Sequence, residues 1–356
     1  MKLILDERNY RYFENDKYSD VVDKANDIIV TGSFEDGYTI DNLGVCKLYR
    51  EDAMISEKDK SKIKSLIVYY ENIGDYAFKN TDCENLTTIN IPNATSIGKY
   101  AFAGCENLTT VKAPNVTSII QGAFGCCTNL KTINIPNVTT IGEDAFANCK
   151  NLTTIDLPRA TSIGEWAFYA CKNLKTINIP NVTTIGRMTF SNCSNLKTIN
   201  IPNVITIGED AFKNCENLKT IKAPSVTSII YGAFANCKNL TTIDLPRTIS
   251  IGEKAFYCCY NLSNIKLPRA ASIGKYAFIY CEYLETVNIL NVTSIGEYAF
   301  YGCHNLTTVN IPNATSIGKY AFHGCHKLTK INVRNEEIAE KLREEYPGYI
   351  MDIICL

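Results

Sequence analysis

Sixteen cysteines and three histidines are the residues of this 356-residue chain best suited to metal or redox chemistry. Their spacing argues against both. Twelve of the cysteines fall in one column: Cys83, Cys105, Cys127, Cys149, Cys171, Cys193, Cys215, Cys237, Cys259, Cys281, Cys303 and Cys325. A metal site needs several ligands converging on one point, whereas a column supplies one thiol per step. The histidines, His304, His323 and His326, lie near Cys303 and Cys325, but at positions held in other steps by Glu, Lys, Ala and Tyr. No metal site is expected there. Free cysteine behaves as a small buried hydrophobe, so the column reads as a packing position. Disulfides between successive steps fit poorly, because stacked strands stand about 4.8 Å apart while bonded Cβ atoms sit about 3.8 Å apart. Catalysis needs unlike groups brought together, and there is neither a phosphate-binding glycine loop nor a nucleophile paired with a base. The chain is therefore expected to be no enzyme and to need no cofactor.

Two other residue types are patterned for contact. Tyr257, Tyr260, Tyr276, Tyr280, Tyr283, Tyr298, Tyr301 and Tyr320 crowd the C-terminal part, with Lys275, Glu282 and Glu297 among them. Tyrosine is enriched at recognition surfaces because it buries much area at small entropic cost. These eight are the first candidates for partner binding. A threonine column, including Thr154, Thr176, Thr198 and Thr220, offers a second, polar candidate surface. It has no aromatic anchor of the kind that dominates tight protein interfaces.

All of these columns follow one ruler. From Phe102 to Phe322 a phenylalanine recurs every 22 residues, and Phe78 precedes the first of them by 24. The unit is I-G-x-x-A-F-x-x-C-x-x-L-x-x-I-x-[IL]-P, as in the run from Ile141 to Pro158. A period of this size means a solenoid with one coil per repeat. Within a coil, Leu130-Lys-Thr-Ile-Asn-Ile135 predicts a short strand with Ile133 and Ile135 on one face. Pro136 ends that strand because it cannot donate to a ladder. A second short extended piece reaches Ile141, Gly142 gives a permissive corner, and Glu143-Asp-Ala-Phe-Ala-Asn148 predicts a helical turn with Ala145 and Phe146 inward. Ile120 and Ile230 replace the corner glycine, with Gly122 and Gly232 two residues later, which suggests that the flexible point has moved. Thr189 in place of the inward alanine and Leu290 in place of the proline predict mild local faults.

The repeat resembles that of the BspA-like, or Treponema-type, leucine-rich repeat family, over about residues 63–333. The resemblance implies a leucine-rich solenoid of α/β-type coils, with short parallel strands and short helical turns, used for adhesion or protein recognition. It also implies a bacterial or protozoan cell surface.

Three segments are expected: a non-repeating N-terminal cap over 1–62, the solenoid of about twelve coils over 63–333, and a C-terminal helical cap over 334–356. In the first, apolar patches at 28–30 and 38–40 and a charged stretch at 57–62 suggest short strands and turns shielding the open end, since terminal repeats need a polar outer face. In the last, Asn335 can cap a helix running to Glu345, and the apolar residues from Tyr349 onward can fold back over the final coil. A formal net charge of −1 gives no reason to expect nucleic acid as a partner. No apolar run is long enough for membrane insertion. The expected partner is a protein or a surface glycan, with an intracellular protein–protein scaffold as the rival role. The apolar stretch within Met1-Lys-Leu-Ile-Leu-Asp6 is short for a signal peptide, and a column of free thiols suits a reducing cytoplasm. Those two features oppose the surface location that the resemblance implies.

Overall fold

A computed structural model describes residues 38–40, 43, 45–48, 62–79, 84–347 and 352–355. The sequence patches at 28–30 and 57–61 and the two extra residues around Asn80–Asp82 lie outside these. The fold is the expected leucine-rich solenoid, a parallel β-solenoid of about 13 turns. Each full coil gives a three-residue strand and a two-residue strand, for example Thr154–Asp156 and Ser162–Ile163. Strands stack in parallel without slippage: Thr154 faces Thr176, Ile155 faces Ile177, and Thr140 faces Ser162. Strand alternation sets the register, since Ile155 is buried between exposed Thr154 and Asp156, and a one-residue slip would expose every isoleucine. A single apolar core runs from Tyr38 to Tyr346.

Down its length the phenylalanine rings stack from Phe78 to Phe322, with centroids 5.1–5.5 Å apart and planes within 14°. Around each ring the chain makes tight turns, and helix is minor: among the described residues the one α-helix is Glu336–Glu345. The N–H groups of Ala145, Ala147 and Cys149 donate three residues back, to Gly142, Asp144 and Phe146. Those of Asp144, Phe146 and Asn148 donate to Glu165, Ala167 and Tyr169 in the next coil. Alternate residues thus serve the turn and the stack. The geometry comes with two left-handed residues per coil, here Asp144 at φ 54° and Asn148 at φ 60°.

The corner glycine has a different reason from the one the sequence suggested. Gly142 has no left-handed backbone, but a Cβ on it would lie 2.7 Å from the Gln121 nitrogen, and one on Gly296 would lie 2.4 Å from the Lys275 nitrogen. At these two corners the preceding coil approaches too closely for a Cβ without a shift, whereas the coils of Ile120 and Ile230 accommodate exposed side chains in the same column. Gly122 (φ 62°) and Gly232 (φ 60°) share the column of Asp144, so they occupy a left-handed position that every coil has. They are not displaced corners.

Thr189 does perturb the array. Its buried hydroxyl donates to the Gly186 carbonyl at 3.0 Å and lies 3.4 Å from that of Gly164. At this level the ladder of two-residue strands breaks between Ser162–Ile163 and Thr184–Ile185. A Cβ on Gly186 would have 3.5 Å of clearance, unlike those at the other corners just described. The extra side-chain atoms hold two coils slightly apart. Leu290 disturbs less: its carbonyl accepts from Asn313 at 2.9 Å, as the Pro268 carbonyl accepts from Asn291 at 2.6 Å.

At the N-terminal end Val45–Leu48 adds a parallel rung to Ser65–Val68, and Tyr38–Ile40 pairs antiparallel with it. At the other end the Asn335 side chain caps the helix by accepting from Glu337 and Ile338, and the helix buries Ile338, Ala339 and Leu342. The Tyr346 hydroxyl accepts the Phe322 N–H at 3.0 Å, and a Glu345 carboxylate oxygen accepts that of Tyr320. Lys341 Nζ donates to the Ile317 carbonyl at 2.7 Å. Each bond replaces one that a further coil would have made. Asp352–Cys355 then pairs parallel with Lys330–Val333.

Two substitutions test this account. Gly296→Ala should destabilise by about 1–3 kcal/mol through overpacking, while Gly186→Ala should be nearly neutral. Equal losses in chemical denaturation would refute the wedge at Thr189. Phe212→Ala should cost about 3–5 kcal/mol and loosen neighbouring coils more than distant ones. Uniform loosening in hydrogen exchange along the chain would contradict nearest-neighbour coupling.

Candidate recognition site

The C-terminal tyrosines gather along the turn edge of the solenoid. Tyr276, Tyr298 and Tyr320 occupy one column, 22 residues apart. Tyr276 stacks on Tyr298 at 5.3 Å, and Tyr320 lies tilted against Tyr298 at 5.1 Å. Tyr301 meets Tyr298 and Tyr280 edge-on, each at 5.7 Å, and stacks on His323 at 5.5 Å. Tyr280 lies over Gly302, where a Cβ would come 2.7 Å from its ring. Tyr257 and Tyr260 flank Cys258 and Cys259 in sequence. The charge of Cys258 raises the Tyr257 hydroxyl above its ordinary value, and a hydrogen bond to Cys258 pushes Tyr260 up to about 12. Desolvation and then the Glu297 carboxylate raise Tyr298 as well.

Five of the eight tyrosines, Tyr276, Tyr280, Tyr298, Tyr301 and Tyr320, are thus joined by ring contacts. Tyr257 and Tyr260 make none of them. Tyr283 is 56% exposed and makes none either. It interrupts an asparagine column in which Asn151, Asn173 and Asn195 each donate to the asparagine one coil earlier at 3.0–3.1 Å.

Cations line the same edge. Lys275 lies 4.9 Å from the Tyr276 ring centre and pairs with Glu297 at 2.7 Å. Lys254 stands 5.6 Å from the Tyr276 ring and 5.3 Å from that of Tyr231, whose hydroxyl it reaches at 3.2 Å. Tyr231, 36% exposed, is thus part of the array, and sequence reasoning missed it because it sits one residue out of the Tyr276 column. A second stack, Tyr76 on Tyr100 at 5.5 Å with Lys79 over both rings, marks the N-terminal coils. Its signal was available, since Tyr100 shares the Tyr276 column.

On the strand face, Thr154, Thr176, Thr198 and Thr220 are exposed, and the first two and last two pair in register. Thr154 and Thr176 line a shallow depression with Thr132, Asp156 and Asn178, and Asn178 donates to Asp156 at 2.8 Å. The strand face and the tyrosine edge are separate surfaces.

The sequence pattern of the BspA-type leucine-rich repeat region, in six copies, matches residues 71–197, 183–291 and 271–342. The chain belongs to the BspA-type leucine-rich repeat family. A leucine-rich repeat protein from Bacteroides ovatus is similar at 24% identity, TM-score 0.49, over 93% of this chain and 98% of that one. A leucine-rich cell surface protein from Faecalibacterium prausnitzii is similar at 24% identity, TM-score 0.47, over 91% and 98%. The pneumococcal vaccine antigen PcpA is similar at 16% identity, TM-score 0.46, over 92% and 98%. No curated protein matches the chain.

The cysteine column is more than filler. From Cys127 to Cys325 the column thiols are free and buried. Each donates to the phenylalanine carbonyl of the coil before it, as Cys149 does to Phe124 at 3.1 Å. A valine would fill the space and leave that bond unmade. Cys105 departs from the expected free column, being disulfide-bonded, and Cys83 lies outside the described residues. Among the described residues no three His, Cys, Asp or Glu side chains group as metal ligands. His304 and His326 stack on each other at 5.1 Å. None of the described helices is long and apolar enough to cross a membrane.

Burial raises the column thiols well above their ordinary value of 9.0, to about 12 for Cys171 and Cys325. In the folded protein Cys126 and Cys355, both exposed, should react with a thiol reagent. The free column thiols should react only after denaturation. A folded-state value above the unfolded one gives stability that is complete below the unfolded pKa and is lost as pH rises toward the folded one. Unfolding free energy should therefore fall as pH rises from about 9 toward about 12. A flat profile there, or rapid labelling of the column, would contradict the buried-donor role.

Proposed function

We propose that this chain is a non-enzymatic recognition or adhesion module, and that it grips a protein partner through the tyrosine edge of its C-terminal coils. The observation that carries the reading is the backbone beneath those rings. Tyr276, Tyr280, Tyr298 and Tyr320 all have φ between 55° and 58°. That region costs an L-residue with a bulky side chain about 1–2 kcal/mol, and other coils place Asp144, Asp210, Gly122 or Gly232 in the Tyr276 column. Ring stacking returns about 0.5–1.5 kcal/mol per pair, so folding alone gives little reason to prefer tyrosine here. Backbone held in a costly region points toward function.

Ring geometry favours protein over glycan. Sugars are gripped on open aromatic faces, and these faces are in use. Tyr298 lies between Tyr276 and Tyr320, and Tyr276 carries Lys275 and Lys254 as well as Tyr298. What remains outward is a row of ring edges and hydroxyls among ion pairs, which suits backbone and side-chain polar groups. Membership in a leucine-rich repeat family supports protein interaction in general. The strand face, with its threonines, tunes the contact.

An intracellular scaffold is the second reading. The thiols do not separate the two, because a buried thiol held by a carbonyl is inert in either compartment.

The test compares two folded variants for retention of a captured protein partner. One carries Tyr276→Ala, Tyr280→Ala and Tyr298→Ala; the other carries Thr154→Ala, Thr176→Ala and Thr198→Ala. The tyrosine variant should lose about 2 kcal/mol or more of binding for each ring that anchors the contact, and the threonine variant should keep the partner. The reverse result would move the site to the strand face.

A further inference from the structure

Five coils before Tyr276, in the same column, stands Trp166, the only tryptophan of the chain. It lies between two unlike neighbours. In the following coil Arg187 places its guanidinium carbon 5.4 Å from the ring centre and pairs with Glu209 at 3.4 Å. The indole N–H reaches Met188 Sδ at 3.0 Å. In the preceding coil stand Glu143 and Asp144, and these two carboxylates with Trp166, Tyr169 and Met188 line a shallow, open depression.

The charges of this depression are unbalanced. Among the described residues neither Glu143 nor Asp144 is in an ion pair, nor is Glu165, which adjoins Trp166 in sequence. Glu143 accepts only a long bond from the Gln121 amide, at 3.4 Å. Burial and then the Glu143 charge hold the Asp144 carboxyl above its ordinary range. Basic groups do not line the depression. Further along, Lys254 and Lys275 meet Glu253 and Glu297, so the same edge is neutralised there.

We propose that this depression receives a lysine or arginine side chain from a basic segment of a protein partner. A cation is drawn to an aromatic ring and to two carboxylates at once, and Arg187 already sits over this same ring. The depression is too open to enclose a free small molecule, but it suits a side chain delivered on an extended backbone. The site is independent of the tyrosine edge, and either can fail without the other.

Because Trp166 is the sole tryptophan, its emission reports on this place alone. The probe is a hexa-arginine peptide titrated at low salt, with hexa-citrulline as the neutral isostere. Hexa-arginine should give a saturable emission change and hexa-citrulline none. The double variant Glu143→Gln, Asp144→Asn should weaken the apparent affinity by about tenfold, and asparagine tolerates the left-handed backbone at 144. Should the double variant fold poorly, Glu143→Gln alone, at an exposed position, should still weaken the response. Tyr276→Ala with Tyr298→Ala should leave it unchanged. No emission change, an equal response to hexa-citrulline, or full affinity in the glutamine variants would overturn the proposal.

Discussion

A stack of near-identical coils imposes one constraint on everything else: whatever a coil places at a position, the next coil places about 5 Å away. In the core a residue type recurs where it can neighbour itself. Phenylalanine can, because flat rings stack, and the core repeats a ring at 5.1–5.5 Å along its length. Asparagine can, because its amide is both donor and acceptor, and Asn214 donates to Asn192 as Asn236 does to Asn214, each at 2.9 Å. Cysteine can, because its weak donor meets a carbonyl one coil back instead of another thiol. Like charges gain nothing from neighbouring themselves, yet Lys175, Lys197 and Lys219 do so on exposed positions, while elsewhere opposite charges meet, as in Arg187 with Glu209 and Lys275 with Glu297.

The same constraint fixes what must happen at a fault and at an end. Most corner backbones approach closely enough to favour glycine between them, and at Thr189 the ladder of two-residue strands is interrupted. The last coil has N–H and C=O groups aimed at a coil that does not exist. Tyr346, Glu345 and Lys341 occupy those directions with side-chain atoms. A buried donor left unmade costs about 1–3 kcal/mol, so the bond to the buried Phe322 N–H matters most to a chain whose stability accumulates coil by coil.

Much of this was legible in the sequence, because periodicity is a one-dimensional signal. Phe, Cys, Leu and Ile spacing gave the coil, its register and its inward face. The turns were harder to read. Glu143 to Asn148 carries a helix-compatible composition, and nothing local announces that Asp144 and Asn148 turn left-handed. That choice is made by hydrogen bonds to the next coil, which a single repeat does not contain. The corner glycine was recognised, yet its cause lies in the backbone of the neighbouring coil. Among surface residues, Tyr276, Tyr298 and Tyr320 follow the period and were legible as a group. Tyr231 joins through Lys254 from a different column, and Tyr283 leaves for the asparagine column. Both outcomes depend on the cross-section of the coil, which spacing alone does not encode.

The remaining freedom of such a molecule is in its outward columns, and there the chain is least regular. The Tyr276 column reads Tyr100, Gly122, Asp144, Trp166, Met188, Asp210, Gly232, Lys254, Tyr276, Tyr298 and Tyr320. In those described here the backbone is left-handed throughout, so glycine or asparagine would meet the folding requirement at every coil. Asp210 exceeds it at a cost: one of its carboxylate oxygens is buried without a hydrogen-bond partner, although the other holds Lys213 at 2.9 Å. Variation imposed by packing would settle on the cheapest residue, as the core columns do. Variation that brings in large rings, unpaired carboxylates and cations, segment by segment, is what a surface divided among different contacts would carry. The column therefore distinguishes an acidic tryptophan stretch from a neutralised tyrosine stretch on one rigid edge, with the distance between them fixed by the number of coils.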